Sequence, residues 1–185
     1  MKTSLAVWPV TQLGDINALV TLSGPARAVI SFGIVLLIGG LIANWRPAAV
    51  NRAVARTVDD SPVAIVYGLA AFGLAVFFGG YLLTQVTQLG SDVVTLAGLV
   101  VVVTVVVVLA SYGYLVVGSY LTEIEGRRRI WHGVVIGATL SAIPWVILSA
   151  TFGLAVWVLL AAVGLGSPTR YWFHGARTVE SEAQR

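Results

Sequence analysis

The sequence predicts an all-α fold: a polytopic membrane bundle of three full transmembrane helices and a C-terminal helical hairpin of two short helices. Three observations predict it. Hydrophobic residues make up 58% of the chain and charged ones 10%, at a mean hydropathy of +0.92, where soluble domains carry about a quarter charged residues. Charge is absent from 61–91, 93–122 and 130–169, and from the shorter run 28–44; about 20 apolar residues suffice to span a bilayer. The arginines collect beside the ends of these runs rather than on a face of their own, so a net charge of +3 speaks of membrane topology and not of nucleic acid.

The chain divides into a leader over 1–27, a membrane domain over 28–166 and a polar tail over 167–185. The leader, MKTSLAVWPVTQLGDINALVTLSGPAR, mixes β-branched residues with Gly and Pro, lacks helical period, and is expected to be extended or interfacial. It has no short basic start before an apolar run, so it does not read as a signal peptide. AVISFGIVLLIGGLIAN is the first membrane helix.

WRPAAVNRAVARTVDD follows. Val50, Val54 and Val58 recur at i, i+4, i+8 while Arg52 and Arg56 share another face, and Pro47 suits a first turn. This predicts a short amphipathic helix in the membrane interface, with Trp45 at headgroup depth. Asp59, Asp60, Ser61 and Pro62 are a helix start, placing the second membrane helix from near Pro62 to about Gln85. TQVTQLGSD is a polar turn without a basic residue. The third helix begins with a valine run, which hydrocarbon forces to be helical because every backbone group must be bonded internally. Of Tyr112, Tyr114 and Tyr120 in its later half, two suit an interfacial belt.

The segment Ile130 to Gly166 has 37 residues, roughly 55 Å as one helix against a hydrocarbon core of about 30 Å. One crossing is too few, and two barely fit. A hairpin is predicted, with helices at 131–143 and 154–165 and a turn within Pro144 to Gly153, where proline interrupts hydrogen bonding and Ser149, Thr151 and Gly153 are permissive.

Basic residues set the topology. Arg46, Arg52 and Arg56 lie in one loop and Arg127, Arg128 and Arg129 in another; the loop between them has only Asp92. By the positive-inside rule both basic loops are cytoplasmic and the N-terminus is outside. The hairpin then returns Arg170 and the C-terminal tail to the cytoplasm.

No charged residue is expected at bilayer depth, which disfavours active transport and catalysis. Cysteine is absent, so thiol chemistry is excluded. His132 and His174 read as interfacial aromatics, and TRYWFHGAR as an amphipathic anchor. Gly133, Gly137 and Ser141 follow the small-xxx-small rule of close helix packing, as do Ala71, Ala75 and Gly79. GLGSP is expected to end a helix. Thr104, Ser111, Tyr112, Ser119, Thr139 and Ser141 either line a narrow pore or, more commonly, bond a nearby carbonyl. No catalytic residue, cofactor, metal or small-molecule substrate is indicated.

The order of these motifs resembles a family of small prokaryotic polytopic membrane domains associated with bactofilin-like, polymer-forming proteins. The basic linker, the YGYLVVGSYL stretch before an arginine cluster, and an IP turn followed by FGLAVWVLLAAVGLG carry the resemblance, over roughly 33–166. It implies an anchoring or envelope-organising role. This chain has no β-helical repeat, so any polymerisation would come from a partner. Two expectations follow: a noncatalytic module that anchors or organises a protein partner in the bilayer, or a homo-oligomeric passive channel or small-solute carrier subunit.

Overall fold

The computed structural model describes residues 22–59, 63–124 and 130–174. Among these, all regular structure is helical: α1 Gly24–Trp45, α2 Pro47–Asp59, α3 Val63–Thr87, α4 Asp92–Ile124, α5 Ile130–Ile147 and α6 Ala150–His174. Four helices are long and apolar enough to cross a membrane, in α1, α3, α4 and α5, and the apolar part of α6, Ala150–Gly166, is shorter. The protein is a multi-pass membrane protein.

α4 is the centre. It packs on α5, α6, α3 and α1, while α1 lies against α5 and α3 against α6 on opposite flanks. Val35, Phe72, Ala110, Tyr114, Ala138, Ala161 and Leu165 form one buried cluster that draws a residue or more from each of the five long helices. α2 closes one end of the bundle. Arg46 is the joint: its amide donates to the Ile42 carbonyl at the end of α1, and its own carbonyl accepts from Ala49 and Val50. At the other end, Gly90 stands at φ +65°, the left-handed conformation in which a side chain is strained; Ser91 then accepts the Thr95 amide and Asp92 opens α4 favourably for its dipole.

Several expectations are corrected. α1 starts at Gly24, not Ala28, because Pro25 occupies the first turn, where its missing N–H has no intrahelical partner to lose. Arg27 therefore belongs to the helix rather than to the leader. The hairpin turn lies within Pro144 to Gly153, as expected, but is narrower and does not begin at the proline. Pro144 lies inside α5, and the chain reverses at Leu148 and Ser149. The helix persists because, without water, unwinding would expose more backbone groups than one proline removes. Gly153 lies in the first turn of α6, where a Cβ would stand 3.1 Å from the Pro144 carbonyl oxygen, so the two residues mark close approach of the arms. The arms have 18 and 25 residues, long enough at about 1.5 Å per residue to make α5 a full span. GLGSP does not end α6, which runs to His174, past the expected boundary at 166. There Gly164 and Gly166 serve close packing, as described below.

α2 forms where expected, with a different partner. Val50, Ala53 and Val54 are buried against Ala43, Leu115, Val116 and Val134, so protein rather than lipid covers its apolar face. Arg46 and Arg52 are exposed.

The lengths of the helices do not match. Gly137 of α5 lies against Tyr114 of α4. From there α5 runs ten residues to Ile147, about 15 Å, whereas α4 runs 22 residues back to Asp92, about 33 Å. The α3–α4 hairpin thus projects past α5 by about 18 Å. Within this projection the two helices pack on each other, Gly79 on Val102 and Gly98 on Val86 and Leu83, and their remaining surface is bare: Phe77, Phe78, Tyr81, Val93, Val100 and Val101 are exposed.

Candidate functional site: a polar junction of four helices

An apolar bundle gives each buried polar group a single chance of a partner, and four helices meet where those chances are used. Trp157 on α6 donates its indole N–H to Ser31 Oγ on α1 at 2.9 Å. Ser31 in turn donates to the Ser141 carbonyl on α5 at 3.1 Å. Ser141 donates to the Ala138 carbonyl one turn back at 2.7 Å. The Tyr114 hydroxyl, on α4, donates to the Trp157 carbonyl at 2.9 Å, and the two rings lie 5.7 Å apart. Tyr114 and Ser141 are fully buried and Ser31 nearly so.

Chemically this junction is a cross-link. A serine becomes a nucleophile when a base takes its proton, and both serine protons here are given to carbonyl oxygens. Among the described residues no group of three or more His, Cys, Asp or Glu assembles. In hydrocarbon such bonds contribute about 1 kcal/mol each, and here they fix which faces of α1, α4, α5 and α6 meet.

Glycine carries the approach that makes the bonds short. Gly113 and Gly164 face one another between α4 and α6, with the Ala161 carbonyl beside Gly113. Gly68 of α3 lies on the Ala162 carbonyl and beside the Gly166 amide. On the other flank Gly118 meets Gly133 and Gly137, Gly133 meets Ser119, and Gly137 meets Tyr114. At each of these positions a methyl group would collide with backbone. Small residues let bilayer helices approach in this way.

The sequence-derived residues distribute as follows. Gly133, Gly137 and Ser141 are buried on α5, facing α4 and α1. Arg46 and Arg52 are exposed at the α2 end, Arg52 Nε donating to the Ala48 carbonyl at 3.2 Å. Arg56 and Arg170 lie on α2 and α6 with side chains outside the description; Arg127, Arg128 and Arg129 lie outside the described residues, as does the leader over 1–21. The candidate pore hydroxyls scatter. Thr104 and Thr139 are exposed, Thr139 donating to Val135, while Ser111 and Ser119 are buried with Oγ unpartnered. Tyr114 is no belt residue but lies at the core.

Ser31, Tyr114, Trp157 and Arg27 were missed as site residues. The available signal was Trp157 itself, since a tryptophan in the middle of an apolar helix carries an N–H that needs an acceptor. No protein-family model, curated protein or solved structure matches this chain. The likeness to bactofilin-associated membrane domains therefore stands on the sequence motifs alone.

Proposed function

We propose that this protein is a noncatalytic membrane module that anchors or organises a partner protein at the cytoplasmic face, with the N-terminus outside and the C-terminus inside. The observation that carries the reading is the docking of α2. A helix with its apolar face sealed on Leu115, Val116 and Val134 is held rigidly and presents its other face, with Arg46 and Arg52, outward. That makes a basic shelf, at the end of the bundle where α5 begins at Ile130. The interior supports the same reading: Ser31, Tyr114 and Trp157 are engaged in cross-links between helices, and its centre is filled by side chains.

Orientation is tested directly because the chain has no cysteine. Ser91→Cys should react with a membrane-impermeant maleimide from outside, and Arg52→Cys only after the membrane is opened; the reverse pattern rejects the topology. Function is tested by gentle extraction, with the mass of the complex and its composition determined. A stoichiometric second protein that is lost from an Arg46→Glu, Arg52→Glu variant supports the anchor. A ring of identical subunits that carries solute flux in vesicles rejects it in favour of the channel or carrier.

A further inference from the structure

Arg27 lies one turn inside the apolar helix α1. Its Nε and Nη2 both donate to the Leu22 carbonyl, at 3.0 and 2.8 Å. Nη1, with two further N–H groups, is buried without a partner. The guanidinium stands 5.8 Å from the ring centroid of Trp145 near the end of α5, and the indole Nε1 of Trp145 is also buried without a partner. One patch therefore holds at least three N–H donors and lacks an acceptor. A buried donor left unmade costs about 1–3 kcal/mol, and a charged one more, so the patch is complete only with an acceptor from outside the chain's described residues.

The geometry points to the phosphate group of a membrane lipid, held by Arg27 and Trp145. An anion fits because all the vacant groups are donors and one belongs to a guanidinium, whose fork matches paired phosphate oxygens. A lipid fits because of depth. Arg27 is 18 residues from Trp45, the last residue of α1, about 27 Å along the axis. With Trp45 and Arg46 at one headgroup border, Arg27 meets the other across a core of about 30 Å. Gly24 adds that α1 approaches the Trp145 carbonyl closely, since a Cβ there would stand 2.7 Å from it; the two donors are thus held on one helix–helix junction. Both side chains remain partly exposed as wholes, so the patch lies at the surface of the bundle.

The test is native mass spectrometry of the full chain released from nanodiscs containing phosphatidylglycerol, counting lipid retained per chain. The wild type should hold one molecule. Arg27→Gln should lower its retention about tenfold, the loss of a charge-assisted bond. Trp145→Phe, which keeps the ring and removes the N–H, should lower it by a smaller factor with an unchanged melting transition, and Gly80→Ala, where nothing lies within 4 Å of the added methyl, should not lower it. Equal retention in wild type and both patch variants overturns the site, as does equal retention of diacylglycerol, which lacks the phosphate. Displacement of the lipid by millimolar inorganic phosphate overturns the assignment to lipid and makes the patch a site for free anions.

Discussion

The projecting part of the α3–α4 hairpin is richer in apolar residues than the α2 end of α4, yet it is bare and the α2 end is closed. In the projection, Val93, Val94, Leu96, Val100, Val101 and Val103 of α4 are exposed. Further along the same helix Ala110, Ser111, Gly113, Tyr114, Leu115, Val116, Gly118 and Ser119 are buried. Hydropathy runs against burial here, because lipid tails are as apolar as valine and give no hydrophobic force between helices. Size does: α4 is β-branched where it stands alone and rich in Gly, Ala and Ser where it meets four neighbours. Within a bilayer, shape rather than greasiness decides what becomes core.

The comparison breaks most sharply at Gly113. Gly113→Val drives a side chain into the Ala161 and Gly164 backbone and should cost about 3 kcal/mol, read as a lower unfolding midpoint in a detergent titration; wild-type behaviour would mean that α4 and α6 do not meet there. Next is Val50→Ala, which removes two methyl groups at the fully buried contact of α2 and should cost about 2 kcal/mol in the same assay. Protease accessibility of 47–59 should rise with it; a stable variant would return α2 to lipid. Ser31→Ala leaves the Trp157 N–H without an acceptor and should cost about 1 kcal/mol. Since Trp157→Phe removes the other half of the same bond, the double variant should cost less than the sum of the singles, and strict additivity would dissolve the junction into separate contacts. Smallest is Gly80→Ala in the projection, where nothing lies within 4 Å of the added methyl. It should be neutral or stabilising within about 0.5 kcal/mol, and a large loss would show that this surface has a partner.

The order and number of helices were legible because uncharged runs and arginine-bearing joints alternate so clearly. α2 was legible too, from Val50, Val54, Arg52 and Arg56 alone. Its covering was not: an amphipathic period says that one face is apolar, not whether lipid or α4 lies on it. Pro144 misled about where α5 ends, because proline breaks helices in water, where a freed carbonyl finds a donor; in hydrocarbon the helix is the cheaper state, so α5 runs on to Ile147 and the chain turns at Leu148 and Ser149, still within the expected region. Of the polar junction, little was legible. Ser31 and Trp157 are 126 positions apart, and no period links residues on separate helices. The spacing of Gly133 and Gly137 announces a close neighbour but does not say that Gly118 and Tyr114 supply it.

The unequal helices have a consequence for the bilayer itself. The apolar stretch Asp92–Thr122 is 31 residues and α5 is 18 residues, roughly 46 Å beside 27 Å when upright, and tilting or stretching lipid to reconcile them costs fractions of a kcal/mol for each ångström. Recovery from vesicles of graded acyl-chain length should accordingly favour the thicker ones. Lipids along the flank of α3 and α4 should be drawn out while those along α1 and α5 are not, so that a single chain would impose a step in membrane thickness across its own width, and neighbouring molecules would feel it as a slope.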